Sequence, residues 1–233
     1  MQPSETIQVG INRWLGKQIG MILLGMAALF LSAGTLKWPM GWVQVGLLVI
    51  ALLIQVGLLL PRNPELFAER SKLQPGTKKW DILLTILGAV VLPFAVWIVA
   101  GFDFRHHWSQ GIPLKWMLYG GTIWLFGYCL ILWAMAVNTF FSATVRIQSE
   151  RSQQVVSSGP YAFIRHPGYA GMLIYLVITP FMLGSWWAFI PAVLTVALIF
   201  VRTALEDRTL QAELPGYAQY AQRTKFRLLP GIW

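Results

Sequence analysis

Five long stretches without a charged residue constrain this chain more than any other feature. They hold 19, 24, 21, 30 and 36 residues, at positions 18–36, 38–61, 82–102, 116–145 and 166–201. A helix needs about 20 mostly apolar residues to cross a bilayer. Each of the first three stretches therefore fits one span, and the fourth fits one span with a polar tail. The fifth is too long for one span and slightly short for two, which indicates a tight helical hairpin.

We therefore predict an all-α, polytopic membrane protein with four transmembrane helices, a C-terminal helical hairpin and cytosolic C-terminal helices. The hairpin spans about 169–204 and turns at Gly184-Ser185. Residues 1–137 form an N-terminal transmembrane scaffold, and residues 138–233 form the region that carries the chemistry. Residues 4–17 fit an interfacial helix or a frayed end equally well. The four predicted spans are about 18–36, 41–60, 82–101 and 114–137.

The composition agrees with a membrane protein and excludes several other classes. Hydrophobic residues make up 56% of the chain and charged residues only 12%, whereas a soluble domain carries about 25% charged residues. So apolar a chain cannot cover a soluble globule with polar surface, and it is too hydrophobic to be disordered. Its one cysteine, Cys129, lies in an apolar run, and we expect it to be a packed thiol.

The net charge of +9 is explained by membrane topology. With the N-terminus in the cytoplasm, 15 basic residues lie on the cytoplasmic side and 3 on the other. Basic residues concentrate in cytoplasmic loops, so this bias places both termini in the cytoplasm of a bacterial-type inner membrane or an equivalent. No soluble segment carries a basic stripe interleaved with aromatic residues, so we expect no nucleic-acid partner.

The polar residues that could carry chemistry concentrate after Asn138. The two ends of a hairpin lie side by side, so His166 and Tyr169 are expected near Arg202 and Glu206. Ionisable residues at membrane depth are functional candidates. Each also has a purely structural reading: a helix-end ion pair for Arg202 and Glu206, and a hydrogen bond to a neighbouring carbonyl for His166.

Other polar segments leave alternatives open or exclude chemistries. Residues 61–81 form either a solvated linker or a cover over a site. His106 and His107 lack a third ligand at zinc spacing, so no metal site is expected. No Gly-x-Ser-x-Gly elbow or dinucleotide fingerprint occurs. A charged cofactor bound beside a lipid-filled groove fits what remains, and methyl transfer needs chiefly alignment and proximity of its reactants.

The C-terminal two-fifths, about 138–233, resembles the isoprenylcysteine carboxyl methyltransferase and phospholipid methyltransferase superfamily. The resemblance is carried by Gly159-Pro160-Tyr161, by the run Arg165-His166-Pro167-Gly168-Tyr169-Ala170-Gly171, by Arg202 with Glu206-Asp207, and by Leu214-Pro215-Gly216-Tyr217 with Tyr220. It implies an integral membrane enzyme that binds S-adenosylmethionine in a cytosolic pocket, with access for the acceptor from the lipid.

The resemblance also implies roles for individual residues. Arg165 and Arg202 lie near the acceptor or the cofactor carboxylate, and together with Glu206 they are the candidate catalytic residues. Asp207 departs from the Glu-Glu pair that is frequent in the family, which leaves the role of a second carboxylate open. The implied cofactor-binding residues are Tyr161, His166, Pro167, Tyr169, Gly171, Glu206 and Tyr217.

These observations predict an S-adenosylmethionine-dependent methyltransferase whose lipid-like or prenylcysteine-type acceptor enters from the bilayer. Carboxyl O-methylation is favoured over lipid amine N-methylation or thiol S-methylation. One alternative is a membrane NADPH-dependent reductase, like the sterol-reductase relatives of the superfamily. The other is a lipid-binding membrane protein without enzymatic activity. The sequence specifies neither the acceptor's identity nor the oligomeric state.

Overall fold

The protein is a bundle of membrane-spanning helices in a computed structural model that describes residues 3–109 and 112–233. Within these ranges the secondary structure is helical and contains no strand. Short π-helical turns, Gln55–Leu59 and Leu87–Val91, extend α2 and join α4 to α5. The α-helices are α1 Pro3–Ala33, α2 Pro39–Ile54, α3 Pro64–Glu69, α4 Lys79–Ile86, α5 Leu92–His106, α6 Leu114–Val137, α7 Pro167–Leu183, α8 Phe189–Glu213 and α9 Tyr217–Arg223.

The prediction of a polytopic all-α membrane protein is confirmed. Five helical segments of the described chain are long and apolar enough to cross a membrane, and the apolar α7 is shorter, at 17 residues. Helix α1, which contains the first span, begins at Pro3 and ends at Ala33, earlier than the predicted span at both ends. The third runs from Lys79 to His106. The five segments are Glu5–Ala33, Pro39–Leu59, Lys79–His106, Leu114–Val137 and Phe189–Glu213.

The predicted hairpin consists of α7 and α8. Pro167 occupies the first turn of α7, where its missing N–H leaves no hydrogen bond unmade. Gly184 ends α7 in the left-handed conformation with φ 77°, which glycine adopts without steric cost. The exposed side chains of Trp186 and Trp187 follow the turn. Helix α8 begins at Phe189 and continues to Glu213, about two turns beyond the predicted end.

Residues 4–17 are helical as the first part of α1, so they are not a frayed end. Ile11 and Trp14 are buried in the same cluster as Leu66 and Phe67. The Trp14 and Phe67 rings meet edge to face at 4.6 Å between centroids. Helix α3 therefore lies against α1. Within residues 61–81 the side chains of Leu66, Phe67 and Ser71 are buried, whereas Lys72 and Leu73 are exposed, so the segment is anchored in the protein rather than solvated throughout.

The expectation of a packed thiol at Cys129 is wrong, because this side chain is exposed on α6. The error arises because the sequence of α6 has no amphipathic pattern that would mark its buried face. Helix α6 is apolar on all faces, and only part of its surface packs against other helices, including Gly127, Ile131 and Ala134. In a membrane helix, an apolar run does not distinguish a face turned to protein from a face turned to lipid.

Two glycines allow the backbones of α6 and α7 to come so close together that a side chain would not fit between them. A Cβ atom built on Gly171 would lie 2.5 Å from the carbonyl oxygen of Gly127 and 2.8 Å from Ile131 Cγ1. A Cβ on Gly127 would likewise lie 2.9 Å from the carbonyl oxygen of Gly171. The two glycines thus face each other across the interface, as small residues do where membrane helices approach closely.

Gly171→Ala is therefore expected to lower the free energy of unfolding by about 1–3 kcal/mol, the usual cost of overpacking. The new methyl group meets backbone atoms, so α6 and α7 must separate. The matched control is Gly46→Ala in α2, where a Cβ meets nothing within 4 Å. Thermal unfolding in detergent checks both variants, and a Gly171→Ala variant as stable as Gly46→Ala contradicts this packing.

Candidate active site

The hairpin brings the start of α7 against the end of α8, as predicted. The Tyr169 hydroxyl donates a hydrogen bond to Glu206 Oε2 at 2.5 Å. The guanidinium of Arg202 lies over the Tyr169 ring, 5.3 Å from its centroid. His166 Nε2 lies 3.3 Å from Asp207 Oδ1, and its ring stacks on Tyr169 with 5.8 Å between centroids. Four of the predicted residues, His166, Tyr169, Arg202 and Glu206, are thus assembled in one cluster.

Asp207 is the centre of a buried hydrogen-bond network at this end of the hairpin. Its side chain is fully buried. Arg165 donates through Nε at 2.7 Å to one carboxylate oxygen and through Nη2 at 2.9 Å to the other. Arg227 Nε and the Tyr217 hydroxyl also donate to it, at 2.9 and 3.1 Å. A charge buried this deeply is tolerated because its oxygens are paired and hydrogen-bonded.

Arg165 connects this network to the C-terminal segment. Its Nη1 donates to the carbonyl oxygens of Thr224 and Lys225, both at 2.8 Å. The backbone N–H groups of Arg165 and His166 donate to the carbonyl oxygens of Phe226 and Arg227. Burial alone would lower the pKa of Arg165, but the hydrogen bonds and charge of Asp207 outweigh it and raise that pKa. Arg165 therefore joins the start of α7, the end of α8 and the C-terminal segment.

Arg202 is paired with Asp81, a residue of α4 that is distant in sequence. Nε donates to Oδ1 at 2.6 Å, and Nη2 donates to Oδ2 at 3.1 Å and to the carbonyl oxygen of Ala143 at 2.9 Å. Asp81 Oδ2 also accepts the backbone N–H of Val145 at 2.7 Å. The Asp81–Arg202 pair thus holds the polar segment after α6 against α4 and α8.

Three tyrosines complete the cluster: the hydroxyls of Tyr217 and Tyr220 donate hydrogen bonds, and that of Tyr161 accepts one. Burial is the largest cause that raises the pKa of each hydroxyl, to about 12 for Tyr220 and further for Tyr161 and Tyr217. All three are therefore protonated at neutral pH and cannot act as bases. The Tyr220 hydroxyl donates to the carbonyl oxygen of Tyr161 at 2.6 Å, and Asn138 Nδ2 donates to the Tyr161 hydroxyl at 3.1 Å.

Polar groups at three places beside this network lack a protein partner among the described residues. Glu206 is half-buried, and its Oε1 accepts no hydrogen bond there. The N–H groups of Gly168 and Tyr169 precede the first hydrogen bond within α7, from Ala170 to His166. Such N–H groups at a helix start can bind an anion. The third group is the buried Nε of Arg70.

Arg70 lies on the segment between α3 and α4. Its Nη1 donates to the carbonyl oxygen of Phe141 at 3.4 Å, and its guanidinium lies over the Phe141 ring. Burial is the largest effect on the pKa of Arg70 and lowers it, and the charge of nearby Arg202 lowers it further. No carboxylate of the described chain pairs with this cation, which contrasts with Arg165.

Two further predicted residues occupy positions that shape the backbone. Pro167 begins α7, directly after the His166 position. Gly171 faces Gly127 of α6, so its missing side chain is explained by helix packing. Both residues lie within the first two turns of α7, Pro167 before and Gly171 after the free N–H groups of Gly168 and Tyr169.

The sequence reasoning missed Asp81, Arg70 and Arg227. In the sequence, Asp81 is simply the charged residue directly before the uncharged stretch 82–102. A signal for it existed, because an arginine such as Arg202 inside an apolar helix requires a counterion. Arg70 and Arg227 read as ordinary basic loop residues, and only the packing of distant segments reveals that one is buried and the other bound to Asp207.

Asp207→Asn is expected to lower the free energy of unfolding by about 3–5 kcal/mol, because it leaves the buried Arg165 without its counterion. The control is Glu213→Gln on the same helix, which removes only the exposed ion pair with Lys78 and is expected to cost less than about 1 kcal/mol. Chemical unfolding in detergent checks both. Equal stability of the two variants is inconsistent with Asp207 as the centre of the network.

Comparison with known proteins finds one family that is similar to the segment carrying this cluster. A comparison with curated proteins found no significant match. Residues 121–212, from the middle of α6 almost to the end of α8, match the isoprenylcysteine carboxyl methyltransferase (ICMT) family. The matched region begins earlier than the resemblance noted in the sequence and ends before Tyr217. This segment contains the start of α7, Arg202, Glu206 and Asp207, so the part of the chain that carries the cluster is similar to the isoprenylcysteine carboxyl methyltransferase family.

Proposed function

We propose that this membrane protein is an S-adenosylmethionine-dependent methyltransferase with a lipid-like acceptor, and that it favours carboxyl O-methylation. One observation carries the proposal: two kinds of polar group lie close together, each without a partner among the described residues. They are Oε1 of Glu206 and the free N–H groups at the start of α7. These groups lie on adjacent ends of one hairpin, joined by the hydrogen bond between Tyr169 and Glu206. The family match supports methyl transfer as the reaction class.

The chain's polar groups fit the two ends of such a cofactor. When bound, S-adenosylmethionine would supply a methyl group on a sulfonium sulfur: a bond from the acceptor nucleophile to the methyl carbon would form as the carbon–sulfur bond breaks, and the sulfur would leave as a neutral thioether. The N–H groups of Gly168 and Tyr169 fit its carboxylate, and Glu206 Oε1 fits its hydroxyl or amino donors. The stacked rings of His166 and Tyr169 form an adjoining wall, and π faces attract a positively charged centre.

In this proposal the buried ion pairs position the site rather than contact the reacting atoms. Nε and Nη2 of Arg165 bind Asp207, and its Nη1 binds two carbonyl oxygens. Arg202 is held by Asp81 and Ala143. We therefore assign Arg165 to holding the start of α7 against α8, and Arg202 to holding α4 and the segment after α6 against α8. We assign Tyr217 to orienting Asp207 and His166.

Arg70 is our candidate for binding the acceptor. Its Nε is buried without a partner among the described residues. Its guanidinium lies over the ring of Phe141, which in turn lies against Gly168 at the start of α7, so Arg70 is beside the cluster. A carboxylate nucleophile needs no base and is bound favourably by a guanidinium. An amine would have to lose a proton, and the three site tyrosines stay protonated. These features favour a carboxylate acceptor.

The orientation that we propose follows from the charge distribution. The site lies at the end of the bundle where α7 begins and α8 ends, together with most of the chain's basic residues. Basic loops mark the cytoplasmic side, so both termini and the site face the cytoplasm. A soluble, charged methyl donor then reaches the site from water, and the apolar acceptor reaches it from the bilayer.

Calorimetric titration with S-adenosylmethionine tests the cofactor site. Glu206→Gln keeps an acceptor for Tyr169 but removes the charge, so we expect affinity to fall at least about tenfold, the scale of a lost charge-assisted hydrogen bond. His166→Ala is expected to weaken binding similarly, since it removes the ring beside Tyr169. Glu213→Gln on the same helix is the matched control and should bind as wild type.

Titration with NADPH separates methyl transfer from the reductase alternative. We expect saturable binding of S-adenosylmethionine and none of NADPH. The proposal is overturned if NADPH alone binds, or if both Glu206→Gln and His166→Ala bind the methyl donor as tightly as wild type.

The acceptor role of Arg70 has a separate test. In an assay that follows transfer of a labelled methyl group to a lipid-linked carboxylate, Arg70→Gln is expected to raise the KM for the acceptor at least about tenfold, since a charge-assisted contact is lost. The dissociation constant for S-adenosylmethionine should not change. Arg62→Gln, an exposed arginine nearby, is the control. An Arg70→Gln variant with unchanged KM refutes the assignment.

A further inference from the structure

A second feature of the molecule lies on the segment that follows α9, residues 224–233. This segment returns to the helical bundle. Leu228 is buried in one apolar cluster with Ile199 of α8, and the ring of Trp233 lies 5.2 Å from that of Phe200, measured between centroids. Because Ile199 and Phe200 belong to a membrane-spanning helix, the segment lies at the boundary of the bilayer rather than out in the aqueous phase.

An open cleft of about 350 Å³ lies between this segment, the end of α9 and the residues that precede α7. Its volume is within the range of sites that bind small molecules. No acidic side chain is among the described residues that line it, and its walls combine two cations with apolar side chains. The lining residues are Ala162, Phe163, Arg223, Thr224, Lys225, Phe226 and Pro230.

The two cations of the cleft have no counterion within the described chain. The side chains of Arg223 and Lys225 are exposed, and neither forms an ion pair with a described residue. Arg227, two residues further along, is by contrast bound to the buried carboxylate of Asp207. The segment thus uses one cation inside the protein and leaves two charges available to an external anion.

Three large apolar side chains of the same region are exposed. The exposed fractions of Phe163, Leu229 and Ile232 are 68%, 37% and 78%. Exposed apolar side chains beside charged ones mark surfaces that bind a membrane or another protein. Since the segment already packs against a membrane-spanning helix, the bilayer is the apolar phase closest to these side chains.

We propose that this cleft binds an anionic phospholipid of the leaflet on the side that we assign to the cytoplasm. Arg223 and Lys225 bind the phosphate of its headgroup, and Phe163 lies against its acyl chains. A free phosphate ion would match only the cations, and a lipid without net charge would match mainly the apolar side chains. The inference goes beyond methyl transfer and does not depend on it, because these side chains lie outside the cluster around Asp207.

The test compares three probes. Calorimetric titrations of phosphatidylglycerol, of phosphatidylcholine with the same short acyl chains, and of inorganic phosphate are run at low ionic strength on the protein in a neutral detergent, with empty micelles subtracted. We expect phosphatidylglycerol to bind saturably and at least about tenfold more tightly than phosphatidylcholine, since each basic residue near an anionic lipid contributes about fivefold. Inorganic phosphate, which lacks acyl chains, is expected to bind at least about tenfold more weakly than phosphatidylglycerol.

Variants then assign the two contributions. The double variant Arg223→Gln, Lys225→Gln is expected to reduce the preference for phosphatidylglycerol to less than about threefold, because both unpaired charges are lost. The matched control is Arg13→Gln, Lys17→Gln, which removes two exposed cations of α1 and should keep the full preference. Phe163→Ser is expected to weaken the binding of both lipids at least about threefold and to leave the preference unchanged.

Four outcomes overturn the proposal. Equal affinity for the two lipids in the wild-type protein means that the cations do not bind the headgroup. A preference that survives in the double variant, or that falls as much in its control, means that the headgroup binds elsewhere. Inorganic phosphate that binds as tightly as phosphatidylglycerol means that the cleft is an anion site rather than a lipid site, and the absence of saturable binding means that it is no site at all. The wild-type comparison decides the question even if a variant fails to fold.

Discussion

The buried carboxylate of Asp207 is the interaction on which the candidate site depends. It lies on α8 but binds Arg165 before α7 and Arg227 in the C-terminal segment. An unpaired charge at this depth would be strongly unfavourable, so the three segments are bound to one another by the need to compensate it. The same geometry sets the distance between the start of α7 and Glu206, and therefore the space in which a cofactor can bind.

The Asp81–Arg202 pair repeats this principle one turn away on α8. It connects a helix of the N-terminal half to the hairpin and, through Ala143 and Val145, to the polar segment after α6. The N-terminal half is thus more than a membrane anchor, because it supplies a counterion to the site. Arg70, from the same half, contributes a cation whose Nε has no partner among the described residues.

Much of the architecture was predictable because the bilayer restricts what an uncharged stretch can do. The hairpin turn at Gly184 and the meeting of Tyr169 with Glu206 followed from span lengths and helix geometry. The exposure of Cys129 was not predictable, since lipid and protein interior are equally apolar surroundings for a thiol. The packing of residues 61–81 was also left open, because a short loop with mixed charges reads the same whether it is solvated or buried.

The sequence by itself determined the polytopic all-α class, the hairpin, and the residues His166, Tyr169, Arg202 and Glu206 as one cluster. Those depend on periodicity, length and charge, which are local properties of the chain. Only the tertiary structure decided which cations are compensated and which are free, because a counterion such as Asp81 lies 121 residues from its partner. It also decided that Gly171 faces Gly127 of another helix, since this depends on how closely separate helices approach.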